Sequence, residues 1–146
     1  MIGLAKSQGG RLLNELTNRE VAFTARNSFR AAMGIEVESV DAGSAVLSLP
    51  VKEHLLQTSR FVHGGVLAVM VDAVIGTAVR SLLPSGVTAV TAEMNINYIR
   101  PVKDGKIFAR GQVVHQGASL LVGTANIEDE QGKLLATGRA TFFVKT

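Results

Sequence analysis

The segment Phe61-Val62-His63-Gly64-Gly65 runs into an almost wholly apolar stretch that ends near Val79 and carries one acid, Asp72. These residue types suit chemistry on a carbonyl group. Two adjacent glycines at a helix start leave backbone N–H groups bare, and the positive end of the helix dipole adds to them, so a polarised oxygen can be held there. From Val66 to Val79 apolar residues cover the whole helical circumference, which predicts a helix buried on every side. Asp72 is then expected to be a buried carboxylate. Such a group must be paired, hydrogen-bonded or functional, because an isolated charge in a low dielectric is too costly.

Gly65 and Asp72 are seven residues apart, which places them nearly on one helix face but roughly 10 Å apart along its axis. That is too far to serve one reacting atom. If the glycines supply oxyanion donors and Asp72 the base or nucleophile, they converge only when two copies of the helix run antiparallel. The spacing therefore predicts a two-fold homodimer with its site across the interface.

The elements that would position this site can be read from period and punctuation. Residues 1–10 are expected to form a mobile tail. Arg11 to Met33 is loosely helical, with Asn14 and Asn18 as candidate interruptions and Gly34 as the stop. Two short strands, Ile35 to Val40 and Ala45 to Leu49, flank the turn Asp41-Ala42-Gly43-Ser44. Lys52 to Val62 reads as a loop or short irregular helix, and the apolar helix runs from about Gly65 to Leu83, closed by Pro84-Ser85-Gly86. Strands are then expected over Thr88 to Ile99, Lys106 to His115, Ser119 to Glu128 and Lys133 to Val144, as an antiparallel meander. A sheet needing a partner for its apolar face, and a helix needing cover, predict an α+β domain with the sheet wrapped on the helix.

Composition narrows the partners. The chain of 146 residues has 18% charged residues and a mean hydropathy of +0.27, which suits one compact domain that hides further surface by self-association. With no cysteine there is no disulfide, thiol nucleophile or thiolate metal site. His54, His63 and His115 lack metal-ligand spacing, so no metal is expected. The apolar run is too short to span a bilayer and the start of the chain lacks a signal-peptide pattern, so the cytoplasm is the expected compartment and no membrane partner is expected. A net charge of +3 and a pI near 9.6 favour a small anionic ligand. One tyrosine and no tryptophan argue against a nucleic-acid platform. No G-x-S-x-G turn marks a serine hydrolase.

The motif His63-Gly64-Gly65, six further residues and Asp72, together with Met33-Gly34-Ile35-Glu36, Glu93-Met94-Asn95-Ile96-Asn97-Tyr98, Arg100-Pro101 and Gly138-Arg139-Ala140-Thr141, resembles the hotdog-fold acyl-CoA thioesterases, in their phenylacetate-pathway-like (PaaI-type) branch. The resemblance covers about Gly34 to Val144. It implies a hotdog domain over residues 34–146, preceded by an N-terminal tail and helical extension over 1–33, and a homodimer that pairs into a tetramer, with no cofactor. It also implies roles for matching residues. Gly64 and the helix N-terminus would clamp the thioester carbonyl, with Gly65 beside the substrate. Asp72 of the facing subunit would be nucleophile or general base. Gln57 would contact the thioester or water, His63 would orient its loop, and Thr91 would hold the attacking water near the acid. Arg100, Ser119 and Arg139 would contact the nucleotide phosphates or the loops around them.

The function expected is hydrolysis of an acyl-CoA, or related acyl-carrier, thioester. A thiolate leaves readily, so attack by Asp72 to give a mixed anhydride and activation of water by Asp72 are both open. A non-catalytic acyl-CoA-binding or sensor module is the alternative, and a hotdog dehydratase or hydratase a lesser one. Small residues at Ala68, Ala73 and Gly76 are compatible with space for an aryl or medium aliphatic acyl group, and equally with close helix packing.

Overall fold

The computed structural model describes residues 15–145; the expected tail at 1–10 and Asn14 lie outside the described residues. Residues 15–26 form helix α1, followed by α2 (Ser28–Met33). Asn18 is simply part of α1. The interruption falls instead at Asn27, whose side chain accepts from the Arg30 N–H at 3.1 Å and so caps α2. Gly34 ends α2 at φ 88°, a left-handed conformation that suits a residue without Cβ.

Strands β1 (Glu36–Asp41) and β2 (Ser44–Pro50) form the expected hairpin. A single 3-10 turn, Glu53–Leu55, leads toward helix α3 (Gly64–Arg80), and β3 (Thr88–Tyr98), β4 (Lys106–Gln116), β5 (Leu120–Glu128) and β6 (Leu134–Lys145) follow. All pairs are antiparallel, in the order β1-β2-β4-β5-β6-β3. The chain is therefore not a simple meander. β3 does not pair with β4, its successor, but crosses to the far edge and pairs with β6. The breaking sequence Arg100 to Gly105 provides the crossover that carries the chain back to β2.

Helix α3 lies on one face of this sheet and touches every strand. Its floor is a row of small residues in register: Ala45, Gly111, Ala125 and Gly138 on β2, β4, β5 and β6. A Cβ at Gly138 would stand 2.6 Å from a Val71 methyl, and one at Gly111 would stand 3.1 Å from the Val74 backbone. The sheet is thus a trough whose depth is set by missing side chains. Met70, Val71, Val74, Ile75, Ala78 and Val79 fill it and are fully buried.

The helix is not buried on every side, as its composition predicts. Gly65, Ala68, Val69 and Asp72 form an i, i+3, i+4, i+7 stripe that the sheet leaves at least partly open. Next to this stripe, β3 is mostly exposed along its length and, among the described residues, pairs only with β6.

At the C-terminal half of α3 the N-terminal helices are clamped by a buried polar cluster. Arg30 Nη1 donates to Glu20 Oε1 at 3.0 Å, Arg30 Nη2 donates to the Ala73 carbonyl at 3.1 Å, and both nitrogens reach Thr77 Oγ1 at 3.3 Å. Arg80 pairs with the same Glu20 carboxylate. Burial, and then the neighbouring Arg80, pull the Arg30 guanidinium below its ordinary proton affinity, with Glu20 pulling the other way. Among the described residues no buried side-chain nitrogen or oxygen lacks a partner.

Candidate active site

The start of α3 is held from both sides. The Gln57 N–H donates to the Phe61 carbonyl at 2.7 Å and the Arg60 N–H to the Gln57 carbonyl at 2.9 Å, closing a tight turn in which Arg60 adopts φ 72°. The Val62 N–H then bonds the Val102 carbonyl at 2.8 Å, and the His63 N–H bonds the Leu55 carbonyl at 3.0 Å. His63 occupies the N-cap, yet its side chain makes no capping bond. The N–H groups of Gly64 and Gly65 consequently have no hydrogen-bond partner among the described residues. A Cβ at Gly65 would meet nothing within 4 Å, so approach to these donors is open.

Tyr98 fixes their direction. Its hydroxyl donates to the Gly64 carbonyl at 2.7 Å, and its ring lies where a side chain at position 64 would be, 3.2 Å from an ideal Cβ. Within one planar trans peptide the Gly64 C=O and the Gly65 N–H point in opposite directions, so a bond to the first orients the second and polarises it. Gln57, Gly64, Leu67, Tyr98 and Arg100 line a cleft of about 410 Å³ here. The Gln57 amide nitrogen reaches the Val62 carbonyl at 3.4 Å, and Arg100 reaches the Leu134 carbonyl at 3.3 Å.

Asp72 lies elsewhere in the same chain. It is partly exposed rather than buried, because it belongs to the open stripe of α3 and not to the faces the sheet covers. Thr91 Oγ1 donates to its Oδ1 at 2.7 Å. Asp72, Thr91, Phe29, Arg30, Val69 and Phe142 are among the residues that line a second cleft, of about 320 Å³. The two clefts share no residue.

A β-bulge lets one strand serve both. Thr91 is in register with the buried Phe142, and Tyr98 with the buried Ala136, so both face α3. Residues of odd and even number cannot share a face of a regular strand. The register shift between Thr91 and Glu93 leaves Ala92 as an extra residue and changes the phase between them.

The remaining expected residues divide. Gln57, Gly64 and Arg100 come together at the helix N-terminus, with His63 and Gly65 adjoining; Asp72 and Thr91 come together at the second cleft. Ser119 lies in the β4–β5 turn, its carbonyl accepting from Val144 at 2.8 Å, and Arg139 is exposed on β6 between Asn95 and Thr124. Neither lines either cleft. The sequence alone gives no role to Tyr98 or Arg30. Tyr98 closes the Glu93-to-Tyr98 motif, whereas nothing in the local pattern marks Arg30. Among the described residues no group of three or more His, Asp or Glu side chains could hold a metal, and no helix is long and apolar enough to cross a membrane.

Comparison with known proteins identifies the family. The Thioesterase superfamily matches residues 60–136. A 1,4-dihydroxy-2-naphthoyl-CoA hydrolase of Listeria monocytogenes is 36% identical over 115 residues, covering 77% of this chain and 92% of that one. The E. coli PaaI protein of the phenylacetic acid degradation operon has a structure that covers 92% of this chain and 96% of its own, with 27% identity and a TM-score of 0.84. A thioesterase of Haemophilus influenzae covers 83% of this chain and 85% of its own, at 29% identity and a TM-score of 0.79. With the superfamily match spanning more than half the chain, and the six-stranded sheet on one long helix common to these structures, this protein belongs to the thioesterase superfamily, as a hotdog-fold member of PaaI type.

Proposed function

We propose that this protein hydrolyses acyl-CoA thioesters at a site completed by two copies of the chain. The observation that carries this reading is the division of the chemistry along α3: free N–H donors at its start, Gly64 in one cleft and Gly65 beside it, and the Asp72–Thr91 pair in another, with Gly65 and Asp72 on one open helix stripe. An antiparallel second copy of α3 laid against the stripe brings the Gly65 N–H of one subunit beside Asp72 of the partner subunit. Both the stripe and the bare outer edge of β3 would be covered by the same contact. Similarity to a 1,4-dihydroxy-2-naphthoyl-CoA hydrolase supports a CoA thioester as substrate.

In this arrangement the thioester carbonyl points at the helix N-terminus. The oxyanion that develops on it is stabilised by the Gly65 N–H, oriented through Tyr98, and by the helix dipole. Asp72 of the partner subunit attacks the carbonyl carbon or takes a proton from water. Its Oδ1 is held by Thr91, so the hydroxyl fixes the carboxylate and leaves Oδ2 for the reaction. Gln57 faces the same cleft as the carbonyl clamp and offers its amide to the thioester or water. Arg100 at the cleft wall supplies a cation for the CoA phosphates. The exposed positions of Ser119 and Arg139 give them at most a part in the outer reach of the nucleotide. His63 contributes through its backbone, as the hinge from turn to helix.

Thiol release from a panel of aryl-, short-, medium- and long-chain acyl-CoAs tests the reading. Wild type should turn over at least one, and Asp72→Asn should lower kcat about 10²–10⁴-fold. Tight binding without thiol release by both proteins would make this a binding module instead. A single turnover in oxygen-18 water separates the two routes: label incorporated into Asp72 excludes pure base catalysis.

A further inference from the structure

Helices α1 and α2 take no part in the chemistry above, yet they wall the cleft that holds Asp72. Phe23, Phe29 and Arg30 stand across it from Val69 and Phe142. This wall is fixed rather than draped. Glu20 and Arg30 are 4% and 6% exposed, and the Arg30 bond to the Ala73 carbonyl ties α2 to the residue next to Asp72. Arg80 lies 4.3 Å over the centre of the Phe23 ring and shares the Glu20 carboxylate with Arg30. With the terminal nitrogens of Arg30 engaged by Glu20, Thr24, Thr77 and Ala73, the wall offers a ligand aromatic surface rather than free terminal donors. Phe29 is 58% exposed, apolar area that the fold itself does not use.

We propose that the N-terminal helices form the acyl end of the site, and that Phe29 limits the length of the acyl group it accepts. The inference rests on the reading of Asp72 as the residue that acts at the thioester carbonyl. Placing that carbon at Asp72 leaves the acyl group the cleft beyond it, which α1 and α2 wall. With α2 across this path, the substrates admitted are compact acyl groups, a single ring or a short chain, and long aliphatic chains run into Phe29.

The chain has no tryptophan, so Phe29→Trp places a lone indole reporter at this position in the full-length protein. Combined with Asp72→Asn to prevent turnover, it is titrated with CoA, butyryl-CoA, benzoyl-CoA and palmitoyl-CoA. Butyryl- and benzoyl-CoA should shift the emission to shorter wavelength while CoA alone leaves it unchanged. In the otherwise wild-type protein, Phe29→Ala should raise the ratio of kcat/KM for palmitoyl- over benzoyl-CoA about tenfold. An equal shift with CoA alone would put α2 at the nucleotide and overturn the proposal, as would an unmoved emission together with an unmoved ratio. If wild type binds these ligands without releasing thiol, hydrolysis fails while the emission titration still decides the wall. A protein that binds none of them overturns both.

Discussion

In the proposed mechanism Tyr98 acts through the Gly64 carbonyl, on the far side of the peptide whose N–H faces the substrate. Removing its hydroxyl while keeping its ring should leave the cleft filled and loosen only the donor. Tyr98→Phe is therefore expected to lower kcat about tenfold, the equivalent of one hydrogen bond, with KM changed less than about twofold and no loss of thermal stability. A variant that raises KM at constant kcat would make Tyr98 a wall of the cleft only. At this scale the sequence was legible where residue type and spacing carry the meaning, as with two glycines and an acid seven positions on. It was illegible where the partner is distant in the chain: Tyr98 meets Gly64 across 34 positions, and Arg30 meets Ala73 across 43. The exposure of Asp72 was misread for a different reason. A run of Val, Ala and Gly looks the same whether a helix face is bound for the core of its own subunit or for a second copy.

Among the elements, α3 and the sheet depend on glycines that no strand propensity favours. Gly123 faces the helix so closely that an added Cβ would lie 2.5 Å from a methyl of Ile75 and 3.1 Å from the Gln112 carbonyl. Gly123→Ala is expected to cost about 1–3 kcal/mol despite alanine's better strand preference, because neither neighbour can retreat from a filled core. Urea denaturation of the variant measures it, and unchanged stability would mean the trough can widen. The clamp on the N-terminal helices makes a second expectation. Glu20→Gln leaves Arg30 and Arg80 side by side without a carboxylate, so stability should fall by about 3–5 kcal/mol, a loss read from the same denaturation curves. Strand spans were readable within one or two residues, since alternation and turn residues are local signals. The pairing of β3 with β6 and the extra Ala92 were not, because strand order is settled by what each face covers after the chain has folded back.

For the molecule as a whole, the proposed division of the site between two subunits makes a quantitative expectation. Gly64→Val meets the Tyr98 ring and disrupts the carbonyl clamp, and Asp72→Asn removes the acid; each should be nearly inactive alone. Refolded together in equal amounts, half of the dimers are mixed and each mixed dimer has one intact site and one doubly damaged site. Activity should return to about a quarter of wild type. A site contained within one chain would return nothing. The position of β3 also has a consequence for how the protein is made. Its sole hydrogen-bonded neighbour, β6, is the last of the six strands to leave the ribosome, so β3 and the Thr91 it carries wait unpaired while two other strands are synthesised. A nascent chain stopped before Leu134 lacks two strands of the finished sheet rather than one, and the cleft that holds Asp72 is completed only with the twelve residues of β6.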